Sequence, residues 1–165
     1  MFPEHRPRRL RRNPTIRRMV RETNVSIDDL IYPLFIQEGR SISEPISAMP
    51  GQYRYSPDRL KTVIKDIKSM GIPAVLIFGI PDKKDSYATS AHKKDGIVQQ
   101  AVRTIKDAAP DLMVITDVCL CEYTDHGHCG ILDEKNEVMN DDTLEILAKV
   151  ALSHAKAGSD MVAPS

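Results

Sequence analysis

The chain has 165 residues, 41% of them hydrophobic and 28% charged, with 23 basic and 23 acidic side chains and so no net charge. That is the size of one ordinary domain or of a piece of a larger one, and the composition of a soluble globular protein. No apolar run approaches the roughly 20 residues that cross a bilayer, and no apolar stretch follows the basic amino terminus to make a signal peptide. The charge is unevenly placed. Residues 1–21 hold eight arginines against the single acid Glu4, leaving 15 bases and 22 acids for the other 144 residues. A +7 arm thus precedes a −7 body.

After the arm, strand and helix signals alternate. The segment 27–38 ends in a short apolar run that reads as a strand. Residues 56–71 read as a helix, with Ser56 as cap, Pro57 in the first turn, Leu60, Val63, Ile64 and Ile67 on one face, and Gly71 as the stop. A continuous apolar run, 74–80, has strand length. Helical period returns in 95–110 through Ile97, Ala101 and Ile105, and Pro110 ends it. Residues 112–121 are again strand-like. The helix expected over 140–158 has Asn140 as cap, acids in its first turn, and Leu144, Leu147, Ala148, Ala151 and Ala155 as its apolar face. "MVAPS", 161–165, opens like another buried strand.

This βαβαβαβ order, with strands apolar on both faces, indicates an α/β fold with a parallel sheet and right-handed crossovers. A doubly wound sheet and a (β/α)8 TIM barrel both begin this way. No G-x-G-x-x-G and no phosphate-loop motif is present, which weakens the nucleotide-binding versions. A barrel needs eight strands and about 250 residues. The chain therefore reads as a TIM barrel truncated to about its first four strands, with an extended N-terminal arm: residues 1–25 the basic arm, 26–165 the half barrel. In such a piece the first and fourth strands are expected to be open edges.

All three cysteines, Cys119, Cys121 and Cys129, fall within "TDVCLCEYTDHGHCG", residues 116–130. An odd count without a signal argues against a disulfide framework and for a reducing compartment. On a strand, residues two apart share a side, so Asp117, Cys119 and Cys121 are expected on one face, with Val118 and Leu120 on the other. Gly127 and Gly130 let the loop bring Cys129 back. Three thiolates with one position open match a zinc site of the catalytic kind. His126 or His128 could add a fourth ligand, although single loop histidines more often make hydrogen bonds around a site. Taken one at a time, the cysteines could equally be inert reduced thiols.

"DVCLCEYTDHGHCG" resembles the metal-binding stretch of the zinc-type porphobilinogen synthase (5-aminolevulinate dehydratase) family. "RPRRLRRNPTIRRMVRET", "IYPLFIQEG", "ISAMPGQYRYS" and "GIPDKKDSYATSAHKKDGIVQQAVR" agree in order, so the likeness spans nearly the whole chain. Magnesium-type relatives carry Ala and Asp in place of these cysteines. The resemblance implies a cytoplasmic TIM-barrel lyase (a hydro-lyase) of tetrapyrrole and heme biosynthesis. It condenses two molecules of 5-aminolevulinate to porphobilinogen with loss of water. It also implies zinc on Cys119, Cys121 and Cys129, a substrate pocket touched by Asp117 and Ser165, and a homo-octamer held through the arm. Finally, it implies two Schiff-base lysines on later strands, beyond residue 165.

None of the eleven lysines here ends an apolar strand: Lys61, Lys65, Lys68, Lys106, Lys149 and Lys156 fall on helices, the others in loops or beside turns. No catalytic residue is therefore expected within the chain, and alone it is expected to be inactive. Two rivals remain. A small zinc-containing nucleic-acid module with an Arg-rich arm would explain arm and cysteines, but Pro7 and Pro14 interrupt the arm and no aromatic residues interleave with its arginines. A metal-free Schiff-base aldolase on the same barrel would have no use for the cysteines.

Overall fold

The computed structural model describes residue 4 and residues 8–165; the remainder of the predicted arm, residues 1–3 and 5–7, lies outside them. The segment after Arg8 has little to pack on. A 3-10 turn at Arg9–Arg11 leads to a short helix, α1 (Pro14–Met19). Asn13 caps that helix, its Oδ1 accepting the Ile16 N–H at 2.9 Å, and Pro14 supplies the first turn. No residue from 8 to 30 is buried, and Leu10, Met19, Val20 and Val25 are exposed.

The body is one six-stranded sheet with helices α2 (Leu60–Ser69), α3 (Ile97–Ala108) and α4 (Asn140–Ala157). Its strands are β1 (Ile31–Gln37), β2 (Ser43–Pro45), β3 (Tyr53–Tyr55), β4 (Ala74–Ile80), β5 (Met113–Val118) and β6 (Met161–Pro164), in the order β2-β3-β1-β4-β5-β6. The pairs β3–β1, β1–β4, β4–β5 and β5–β6 are parallel, and β2–β3 is antiparallel. The expected α/β order is present, with two additions. The β2–β3 hairpin covers the outer edge of β1, so the first strand is not the open edge expected of it; β6 does lie at the edge of the sheet. Strands of three residues are too short to show alternation, so the sequence around 43–55 carries no strand signal.

One face of the sheet is dry. Leu34, Ile36, Val75, Ile77 and Val114 are wholly or almost wholly buried against Leu60, Ile64 and Ile67 of α2 and Ala101, Val102 and Ile105 of α3. Each large side chain so buried contributes about 1.5–3 kcal/mol. The alternate residues Pro33, Phe35, Leu76, Phe78 and Ile80 point the other way and are only half-buried, with Phe35 and Phe78 stacked at 5.2 Å. A second cluster, Val118, Leu120, Tyr123, Ile131 and Val150, lies under the loops at the strand ends. Among the described residues no helix is long and apolar enough to cross a membrane.

Three local expectations are corrected. Ser56 precedes its helix, but its hydroxyl accepts the Ile42 N–H at 2.8 Å and donates to Asp58 at 2.6 Å, tying the hairpin down rather than capping. Asn140 lies inside α4, and the residue at the cap position is Met139. The apolar face of α4 is also rotated from the expected one. Leu144, Ala148 and Ala155 are exposed, whereas Thr143, Val150 and His154 are buried. The helix turns inward the stripe that meets α3 and the second cluster, and that stripe includes a histidine, which a search for apolar period discounts.

His154 is 1% exposed and neither ring nitrogen has a partner among the described residues. Burial pulls its pKa down to about 4 from 6.5. A base held neutral in the fold but free to protonate when unfolded stabilises the fold above the unfolded pKa, and that contribution is lost as pH falls toward 4. Between pH 7 and pH 5 the loss should be about 2 kcal/mol. Urea denaturation of the wild type and of His154→Leu at both pH values checks this. The variant should lose distinctly less stability, and parallel losses would show that His154 is not the group responsible.

Candidate metal centre

Because β1, β4, β5 and β6 run parallel, their carboxyl ends share one edge of the sheet. The cysteine loop leaves that edge from β5. The strand stops at Val118, so only Asp117 of the expected Asp117–Cys119–Cys121 face lies on it. Leu120 then starts a turn, its carbonyl accepting the N–H of Tyr123 at 2.8 Å and of Thr124 at 2.9 Å. Here the Cys119 and Cys121 sulfurs are 3.3 Å apart. The turn, not strand alternation, makes the pair.

Cys129 returns by a loop whose geometry needs both glycines, for different reasons. Gly127 has φ +75°, in the left-handed region. A Cβ on Gly130 would lie 2.6 Å from Val138 Cγ1 and 2.9 Å from Thr143 Oγ1. Thr143 locks the return. Its Oγ1 accepts the buried Ile131 N–H at 3.0 Å and donates to the Met139 carbonyl at 2.7 Å. The outcome is a group in which the sulfurs of Cys119, Cys121 and Cys129 all lie within 4.8 Å of one another, one buried, one half-buried and one exposed.

A second group shares Cys119. Asp117, Cys119 and Glu122 also bring their ligand atoms within 4.8 Å, and Glu122 Oε2 lies 3.2 Å from Cys121 Sγ. Glu122 had no place in the sequence reading; an acid beside a cysteine was the available signal, but its direction depends on the turn. Burial pushes the Asp117 carboxyl up to about 6, with the Glu122 carboxylate adding to it. The Cys121 thiol is pushed up by burial and then by its Cys119 and Glu122 neighbours, and Cys129 chiefly by Cys119. Burial, close sulfur neighbours and the Glu122 carboxylate thus all disfavour the charged forms here. A divalent cation would reverse each of these shifts. Three soft sulfurs beside two carboxyl groups are a donor set that fits a thiophilic divalent metal.

The expected histidines stay outside both groups. His126 Nδ1 accepts the His128 N–H at 3.1 Å, and the two rings lie 5.7 Å apart. Ser165 is exposed, its N–H donating to the Val118 carbonyl at 3.3 Å; this places it one step past the Val118–Pro164 pair, beside Cys119. None of the eleven lysines lies on a strand, as expected.

A family model described as delta-aminolevulinic acid dehydratase matches residues 4–165. The chain belongs to the delta-aminolevulinic acid dehydratase family. Curated proteins of that name from Methanothermus sociabilis and a Synechocystis strain are 57% and 52% identical to it, covering 99% and 100% of this chain. The crystal structure of the Toxoplasma gondii ME49 dehydratase (porphobilinogen synthase), in complex with the reaction product porphobilinogen, matches with a TM-score of 0.90 at 38% identity over 99% of this chain. This chain spans 51% of each of those two curated dehydratases and 47% of the Toxoplasma chain, about half their length. The dehydratase match runs through the arm and the cysteine loop alike, the two parts that the nucleic-acid reading joined as a separate module.

Thr143→Val should free the cysteine loop from α4. It leaves the buried Ile131 N–H without its acceptor, at a cost of about 1–3 kcal/mol. Hydrogen exchange of residues 126–139 should speed up in the variant more than that of the α2–α3 core; uniform change across the chain would mean the bond does not hold this loop.

Proposed function

We propose that this chain is the metal-binding half of a porphobilinogen synthase, a lyase of heme biosynthesis that condenses two 5-aminolevulinate molecules to porphobilinogen with loss of water. One observation carries the reading: three cysteine sulfurs converge at the carboxyl ends of a parallel sheet in a member of this family. In the same reading residues 26–165 form the first half of a (β/α)8 barrel. The half-buried face of Phe35, Leu76, Phe78 and Ile80 supports this, since a closing barrel would cover it. The free thiols fit a cytoplasmic enzyme.

Zinc is the metal we assign, held by Cys119, Cys121 and Cys129. Bound there it would act as a Lewis acid toward a substrate carbonyl or leaving oxygen. The chain's own residues do the positioning. Asp117, half-buried near the end of β5, and Ser165, just past the end of β6, line the edge where a substrate would meet the cysteines. Glu122 holds its carboxylate against Cys121. A covalent step needs an amine activated by desolvation, and the lysines here sit on helices and in loops, several tied to acids such as Lys68–Asp111 and Lys106–Asp160, both at 2.7 Å. The resemblance to the family puts the Schiff-base lysines in the other half of the barrel.

Metal analysis under reducing conditions tests the site. The chain should carry one zinc, and Cys119→Ser/Cys121→Ser should carry none; equal zinc in both would refute the assignment. Given 5-aminolevulinate, the zinc-loaded chain alone should form no pyrrole above a no-protein control, and turnover would show that a lysine of this half is catalytic.

The arm, residues 1–25, serves assembly of a homo-octamer in this reading, not nucleic-acid binding. Its first 21 residues carry +7 against −7 for the rest of the chain, and its apolar side chains Leu10, Met19 and Val20 are uncovered. Deleting residues 2–21 from the whole barrel should lower the oligomer mass in sedimentation; an unchanged mass would exclude the arm from assembly.

A further inference from the structure

Away from the cysteine loop, a cavity of about 440 Å3 lies between α3, α4 and the loop that enters α3. That is the size of a small-ligand pocket. Lys149, Leu152, Ser153 and Lys156 line it from one stripe of α4, at the i, i+3, i+4, i+7 spacing of a single helix face. Arg103 reaches it from α3, and Lys94 from the loop. Residues 22–165 carry 15 bases against 22 acids. Four cations around one hollow therefore run against the sign of the body that bears them.

Local acids do not account for this. Asp95 holds Arg103 at 3.2 Å and Glu145 reaches Lys149 at 4.0 Å, both exposed pairs of little strength. Among the described residues no ion pair takes up Lys94 or Lys156. The walls add neutral groups. His92 lines the cavity, and its buried Nδ1 has no partner among the described residues. The Ser153 hydroxyl is held in place, accepting from Gln99 Nε2 at 2.8 Å and donating to the Val150 carbonyl at 2.7 Å. Leu152 and Ala157 give the same hollow an apolar side.

We propose that this cavity binds a small organic dianion with an apolar body, of the phosphate monoester class. Lys94 and Lys156 neutralise the charged end, His92 and Arg103 flank it, and Leu152 and Ala157 cover the body. The arm of a second copy, with its eight arginines, has the wrong sign to be the occupant.

Phenyl phosphate titrated into the full chain, followed by amide chemical shifts in NMR, tests this. Binding should saturate, with shifts confined to 92–103 and 149–157. The charge reversal Lys94→Glu/Lys156→Glu should weaken it about tenfold or more, since two charge-assisted contacts are lost. The milder Lys94→Gln/Lys156→Gln should weaken it in the same direction and guards against misfolding. Lys61→Glu/Lys65→Glu, two exposed lysines of α2 outside the cavity, makes the same charge change and should leave binding intact. Inorganic phosphate should bind more weakly. Equal loss in the α2 variant would reduce the effect to diffuse attraction and overturn the proposal. So would failure to saturate, shifts centred on 117–130, or inorganic phosphate binding as well as phenyl phosphate.

Discussion

Parallel pairing is the constraint on which the rest of this structure depends. A parallel strand can be joined to the next only by a crossover, and here three crossovers, each containing a helix, join the strands β1, β4, β5 and β6. With the crossovers all of one hand, α2 and α3 cover the same face of the sheet, and the core made of Leu34, Ile36, Val75, Ile77 and Val114 forms there. The same pairing brings every carboxyl end of those strands to one edge. Functional loops then have a single place to gather.

The groups gathered there are mutually repulsive. Burial and close neighbours push Asp117, Cys121 and Cys129 toward their neutral, protonated forms. A fold selected only for stability would not crowd such groups. The arrangement suits a positive partner, and the neighbouring loops keep it open on one side: Cys129 and His128 are exposed while Cys119 is buried. The Thr143 hydroxyl and the Leu120 carbonyl fix the loop and the turn that carry the sulfurs.

The α3–α4 groove shows the opposite arrangement, with cations gathered on an acidic body. The metal centre depends on a strand end, a turn and the returning loop of Cys129, the groove on two helix faces and the loop that enters α3. Neither draws on the arm, none of whose residues from 8 onward is buried.

How far these features could be read in advance depends on the range of the forces that make them. Helices α2 and α3 and strand β4 were legible because their apolar residues repeat at 3.6 or run unbroken over strand length, which is a local property of the chain. The cysteine cluster was legible as chemistry, because three soft ligands in fifteen residues carry their meaning in composition alone. The sequence did not reveal how the cluster is built. Val118 ends its strand, and Cys121 meets Cys119 through a turn whose carbonyl acceptor and buried neighbours belong to the packed protein. The inward face of α4, the β2–β3 hairpin and the place of Glu122 were decided in the same way, by contacts between segments far apart in the chain. Periodicity describes one segment at a time; a burial pattern such as Thr143, Val150 and His154 is set by what the rest of the molecule presents to it.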